Sequence, residues 1–88
     1  MPYIKHDDRA KFQLVESELT QAVALHSLSN GELNYLITKL ALAYLARHGI
    51  SYNTISDVVK AMECAKLEFY RRVVVPYEDE KRILNGEV

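Results

Sequence analysis

Apolar residues recur along the chain at the three- and four-residue spacing of α-helices. The first run follows Asp7 and Asp8, which are suited to cap a helix. Its apolar face comprises Phe12, Val15, Leu19, Ala22, Val23 and His26. A second run starts after Ser29 and Glu32, which have the spacing of a capping box, and it stops before Gly49. The pattern predicts two helices joined by a short turn.

A third apolar run predicts a third helix, which begins within residues 51–54, where Ser, Asn and Thr can each cap it. Its inner stripe comprises Ile55, Val58, Val59, Met62, Phe69 and Val73. A rotation of about 100° per residue places Cys64, Leu67 and Val74 on roughly the opposite side. The third helix is therefore expected to have two apolar faces.

Pro76 lies at the end of this third run. Proline has no backbone donor, and its ring clashes with the carbonyl four residues earlier. We therefore predict a kink or break between Arg72 and Tyr77. The helical segment that follows, within residues 76–88, is expected to lie across the body of the protein or on a neighbouring subunit.

These elements predict an all-α fold in one domain, residues 1–88, with three main helices and a C-terminal helical segment after Pro76. Residues 1–6 are expected to form an extended arm that lies on an apolar surface. The second helix is apolar on nearly all sides, so a three-helix monomer does not cover it. We therefore expect a homo-oligomer, most simply a two-fold dimer.

Composition narrows the class of protein. Hydrophobic residues make up 49% of the 88 residues and charged residues 26%, as in ordinary globular chains. The formal net charge of −1 disfavours a nucleic-acid partner, which normally requires a basic surplus. The chain starts without an apolar signal segment and contains no run long enough to cross a bilayer, which predicts a cytoplasmic protein with no membrane partner.

The sequence contains no recognisable catalytic constellation. His6, His26 and His48 are far apart, and none forms a metal-ligand pair with a neighbour. The three glycines, Gly31, Gly49 and Gly86, do not form a phosphate-binding loop. We therefore expect no enzymatic activity, no cofactor and no metal.

The most informative stretch for ligand binding lies around the doubled arginine. Arg offers a planar fork for phosphate or carboxylate, and Tyr offers a stacking face. These residue types form a candidate anion clamp that consists of Lys66, Tyr70, Arg71, Arg72 and Tyr77. The alternative is that Glu68 pairs with both arginines on the surface, or that the arginines stabilise the end of the helix.

A further group of residues is expected to support this clamp or to lie in an interface. In the second helix, Asn34 and Thr38 share a face next to Tyr35, and their polar groups are expected to bond across helices or to reach into a pocket. In the third helix, Cys64 and Leu67 lie on the second apolar face. Cys64 is the only cysteine, so it is expected to be a buried or interface thiol.

Three motifs carry a resemblance to a known family: "MPYIK" followed by "DR" and Phe12, "GELNYLIT", and "ECAKLEFYRRVVVPYEDEKRILNGEV". Together they resemble a family of small uncharacterised proteins of phages and prokaryotes, a domain of unknown function. The resemblance covers most of the chain and implies no catalytic residues.

Two functions are consistent with these patterns. The first is a phage-type accessory protein that binds and sequesters a phosphate-containing, nucleotide-like small molecule, for example in counter-defence. The alternative is a protein-interaction module that binds a host or phage protein through the apolar faces of the second and third helices.

Overall fold

The computed structural model describes residues 2–88, and this range contains helices and no strands. The elements are a 3-10 helix (His6–Phe12), α1 (Gln13–His26), α2 (Asn30–His48), α3 (Tyr52–Phe69), a π-helical segment (Tyr70–Val74) and α4 (Val75–Asn85). The all-α class with three main helices and a C-terminal helical segment is confirmed. Met1, which belongs to the predicted arm, lies outside the described residues.

The caps of α2 and α3 explain where these helices begin. The capping box predicted at Ser29 is confirmed. The Glu32 backbone N–H donates to the Ser29 hydroxyl at 3.2 Å, and the Ser29 backbone N–H donates to the Glu32 carboxylate at 3.0 Å. Ser51 and Thr54 form a second box at the start of α3. The Thr54 hydroxyl also donates to the Gly49 carbonyl at 2.7 Å, which closes the turn between α2 and α3.

The start of the first helix differs from the prediction. Asp7 and Asp8 lie inside the first turn of the 3-10 helix, and neither caps it with a side-chain hydrogen bond. The α-helical geometry begins only at Gln13. Both acids still lie at the positive end of the helix, so the dipole argument for their placement applies while the capping argument does not.

Of the kink or break predicted between Arg72 and Tyr77, the break is wrong and the kink stays a prediction. Tyr70, Val74 and Val75 all have right-handed helical dihedral angles, so the helical backbone runs from α3 into α4 without interruption. The hydrogen-bond register changes instead, since the Val75 backbone donates to the Tyr70 carbonyl five residues earlier. A π turn of this kind accommodates a proline without ending the helix, and Pro76 lies directly after it, in the first turn of α4.

The course of α4 also corrects the prediction that this segment folds back across the protein. Within residues 2–88, α4 packs only against the π segment that precedes it. It continues the helical backbone of α3 through the π segment, and the chain reaches 50 Å along its longest axis. The expected contact with a neighbouring subunit stays a prediction.

Packing between helices in the described chain is confined to α2 against α3. At this contact the Tyr44 hydroxyl of α2 donates to the Asp57 carboxylate of α3 at 3.3 Å, and the Tyr44 ring lies 4.3 Å from the ring of His48. Partial removal from water raises the pKa of Tyr44, and the Asp57 charge raises it further. The contact joins the two helices but encloses little volume.

No residue from 2 to 88 is fully buried. Most of the predicted inner stripe of α3 is open in the single chain, since Phe69 is 62% exposed and Val59 is 61% exposed, and only Val58 of the stripe is half-buried. Cys64 and Val74, predicted for the opposite side, are only half-buried rather than open. The N-terminal arm lies on the side of Cys64, and α2 is the other element that packs against α3.

Candidate functional site

The N-terminal arm ends in a polar contact with α3 and the π segment. The Tyr3 hydroxyl donates to the Glu68 carboxylate, and it accepts from Arg71 Nη2 and Arg72 Nη1, each at 3.0 Å. A tyrosine hydroxyl has one proton to donate and two lone pairs, so this set satisfies it completely. We name these four residues, Tyr3, Glu68, Arg71 and Arg72, the Tyr3 latch.

Charge pairing holds the latch together. Arg71 Nη2 lies 2.9 Å from both carboxylate oxygens of Glu68, whereas Arg72 Nη1 is 3.8 Å from the nearer one. The Tyr3 hydroxyl and then the Arg71 guanidinium lower the pKa of Glu68, and Glu68 in turn raises the pKa of Arg71. The Glu68 side chain is 16% exposed, while Arg71 and Arg72 remain 65% and 61% exposed. The latch is thus a half-buried carboxylate under two open guanidinium groups.

Pro2, the residue before Tyr3, lies over a shallow depression on α3. Pro2 lines this depression together with Asp57, Lys60, Ala61, Cys64 and Ala65. The arm was predicted to lie on an apolar surface, and the small side chains of Ala61 and Ala65 provide one. The latch adds a polar anchor that the sequence pattern did not reveal.

The structure brings together two of the five residues of the predicted anion clamp. Arg71 and Arg72 meet at the Tyr3 hydroxyl, as described above. Lys66 instead lies 3.2 Å from Glu63, and no described contact joins it to the arginines. Tyr70 and Tyr77 are both more than half exposed, and the Lys81 amine lies 5.5 Å from the Tyr77 ring centre. The ligand role of all five residues stays a prediction.

The supporting residues predicted for α2 do not reach another helix. Thr38 donates to the Asn34 side-chain oxygen at 3.2 Å, so these two polar groups satisfy each other along α2. Tyr35 is 61% exposed, with the Lys39 amine 5.9 Å from its ring centre. On α3, Leu67 is 56% exposed and Cys64 is half-buried beside the arm. The expected bond across helices is therefore wrong for Asn34 and Thr38 within the single chain.

Tyr3 is the site residue that the sequence pattern missed. It belongs to no periodic run, and its partners are 65 to 69 residues away along the chain. Glu68 was recognised as a partner of both arginines from its spacing alone, which is three and four residues. The available signal was that two arginines share the single carboxylate of Glu68, while the arm carries one tyrosine outside any periodic run.

Other sites for chemistry are sparse in the described part of the chain. No three His, Cys, Asp or Glu side chains among residues 2–88 lie close enough to share a metal ion. The same range holds no helix with the length and hydropathy that a membrane crossing requires. The Tyr3 latch is therefore the candidate site that the geometry defines best.

The fold and the latch together define an all-α protein whose N-terminal arm is fastened to α3 and the π segment. Among known families, the chain belongs to the one described as a domain of unknown function, DUF6899, whose profile matches residues 1–88. No curated protein and no solved structure matches the chain.

Proposed function

We propose that the protein is a non-enzymatic interaction protein that works as an assembly with a second copy of itself. The observation that carries this proposal is the exposed surface. The chain exposes 8086 Å², whereas a compact monomer of its mass exposes about 5,300 Å². The excess of about 2,800 Å² is more than three times the roughly 800 Å² that each partner buries in a standard interface.

The shape of the chain supports the same proposal. The radius of gyration is 16.5 Å, and a compact domain of this length has a value of about 12 Å. The extended shape leaves the apolar stripe of α1 without a partner helix, and Leu19 is 49% exposed and Val23 52% exposed on it. The stripe of α3 is equally open at Met62 and Phe69.

A second copy is the occupant that these faces favour. Both open stripes are amphipathic helix faces, and a two-fold arrangement lets the same two stripes cover each other twice. The net charge of −1 also lets two copies approach without strong mutual repulsion. An assembly of two chains supplies the interior that one chain lacks.

Light scattering coupled to size exclusion tests this proposal. We expect a mass of at least twice the 10.1 kDa of one chain at micromolar concentration. The melting temperature is expected to rise with protein concentration, because association stabilises only the folded state. A monomer mass together with a concentration-independent melting temperature would overturn the proposal.

A second candidate function is sequestration of a phosphate-containing small molecule. The observation in its favour is the charge at the latch, where Arg71 and Arg72 share a single carboxylate and keep their outer surfaces open. One positive charge is therefore left over at an accessible site. The phage origin and the counter-defence role implied by the resemblance stay predictions.

Thermal-shift screening of nucleotides and inorganic phosphate tests this second candidate. We expect a phosphate compound to raise the melting temperature of the wild type and not that of the double variant Arg71→Ala with Arg72→Ala. Arg82→Ala is the matched control, because Arg82 is also a surface arginine paired with acids, at Asp79 and Glu87. If no phosphate compound stabilises the wild type, the sequestration function is rejected.

A further inference from the structure

The N-terminal third of the chain is attached to the rest by very few contacts. Apart from the connection to α2, the Tyr3 latch is the only hydrogen-bonded link between residues 2–26 and the remaining described residues. The 3-10 helix and α1 approach each other and no other element of the described chain. The tip of the arm is therefore docked on α3, while α1 packs against no other α-helix of the described chain.

The chemistry of the latch selects its occupant. Two guanidinium groups donate hydrogen bonds to the bound oxygen, and the Glu68 carboxylate accepts a hydrogen bond from the same oxygen. A neutral hydroxyl fits this set, because it is an acceptor and a donor at once. At the position of the Tyr3 hydroxyl, a fully ionised oxygen is repelled by the Glu68 carboxylate and has no proton to donate to it, so phosphate is proposed only for the open outer surfaces of Arg71 and Arg72. The latch is thus a receptor for a tyrosine hydroxyl.

We propose that in the assembled protein each copy inserts its Tyr3 into the Glu68–Arg71–Arg72 receptor of the other copy. The inference rests on the proposed self-assembly and names the residue that the second copy contributes. All latch contacts are made by the tip of the arm, so the same contacts form within one chain or between two. Exchange therefore needs no new chemistry.

The unpartnered α1 favours exchange over docking within one chain. When the arm is docked on its own α3, α1 approaches none of the other α-helices, and its apolar stripe stays in water. When the arm is docked on the second copy, α1 is carried to that copy and can cover an open apolar stripe there. The Arg9 side chain donates to the Ile4 carbonyl at 2.8 Å, so the arm is fastened to the 3-10 helix and the two are carried to the second copy together.

A complementation experiment distinguishes the two arrangements. Tyr3→Phe removes the occupant but keeps the receptor, and Arg71→Ala with Glu68→Gln removes the receptor but keeps the occupant. If arms are exchanged, a mixed dimer contains one intact latch. If each arm docks on its own chain, a mixed dimer contains none. Differently tagged variants are refolded together so that the mixed dimer can be isolated.

We expect the mixed dimer to melt at a higher temperature than either parent variant. A mixed dimer that melts no higher than the better parent would overturn arm exchange. Tyr52→Phe replaces Tyr3→Phe in the control mixture, because Tyr52 is 86% exposed. That mixture should show no gain beyond the average of its own parents.

A disulfide test gives an independent answer. Pro2 and Cys64 line the same depression, and Cys64 is the only cysteine, so Pro2→Cys creates one possible pair there. Arm exchange predicts an oxidised product of two linked chains on a non-reducing gel. Pro2→Cys with Cys64→Ser controls for pairing between the two new cysteines.

The outcomes separate this inference from the function on which it rests. A monomer mass in solution rejects the self-assembly itself. A dimer mass with the disulfide inside one chain keeps the assembly and overturns arm exchange. If the variant forms no disulfide of either kind, the complementation result alone decides.

Discussion

Glu68 illustrates how much one side chain does in a protein without a closed interior. It accepts from Arg71 and Tyr3, lies 3.8 Å from Arg72, and is the least exposed member of the latch. Because its partners are donors and cations, the structure favours its ionised form and lowers its pKa. The latch therefore depends on a charge that acid can remove.

Acid should weaken the latch in a defined window. A carboxylate whose pKa is lowered in the folded state stabilises the protein at pH values above its ordinary pKa of 4.5. That contribution is lost as the pH falls from 4.5 through the lowered pKa. We expect the melting temperature of the wild type to fall more steeply below this value than that of Glu68→Gln. At neutral pH, Glu68→Gln should already melt lower than the wild type.

Glu63→Gln is the matched control for this experiment. Glu63 also pairs with a basic residue on α3, Lys66, but its side chain is 56% exposed and it contacts no part of the arm. Exposed pairs of this kind contribute little. Equal acid sensitivity of Glu68→Gln and the wild type would show that the latch does not support the fold.

The π segment is the informative feature at the scale of elements. Between Tyr70 and Val74 the backbone hydrogen bonds span five residues, directly before Pro76. Stiff β-branched valines alone do not require such a turn, since valine is tolerated in α-helices. We attribute the π segment to Pro76. Proline has no backbone N–H, so the carbonyl four residues earlier loses its usual hydrogen-bond donor.

Replacing the proline should restore the α-helical register. In Pro76→Ala the new amide can donate four residues back, so we expect amide protection at residue 76 and a gain of about 1 kcal/mol in the free energy of unfolding. Backbone chemical shifts and hydrogen exchange measure both effects. Val75→Ala keeps the proline and should keep the π segment. A π segment that persists in Pro76→Ala and disappears in Val75→Ala would assign its cause to the valines.

At the scale of the whole molecule, the exposed apolar stripes of α1 and α3 are the surfaces that a second copy is proposed to cover. In the proposed assembly, a charge placed on a stripe should separate the two copies, because an unpaired charge is costly in a covered apolar contact. We expect Leu19→Asp on α1 to lower the mass measured by light scattering toward that of one chain.

Gln21→Asp provides the matched control for that variant. It adds the same charge to the same helix at a position two residues away, about 200° around the helix axis. We expect its mass to equal that of the wild type. If Leu19→Asp keeps the wild-type mass as well, then the α1 stripe is not part of the assembly.

Features that depend on neighbouring residues were predictable from the sequence. The box at Ser29 and Glu32 and the stop at Gly49 agree with the structure, since caps are made within one helical turn. The pairing of Glu68 with both arginines, which the spacing offered as the alternative to an anion clamp, is local in the same way. The all-α class followed from these short-range signals, and the DUF6899 family match agrees with the resemblance to a domain of unknown function.

Features that depend on distant residues were decided by the tertiary structure. Periodicity identified two apolar faces on α3 but did not indicate which one the arm would cover, because either face satisfies the pattern. The chain also passes Pro76 without a break, since the turns on both sides of it stay helical and absorb its missing donor through a change of register. The latch joins Tyr3 to residues 65 to 69 positions away. No local pattern encodes such a contact, because it forms only after α3 and the π segment have brought Glu68, Arg71 and Arg72 to one side.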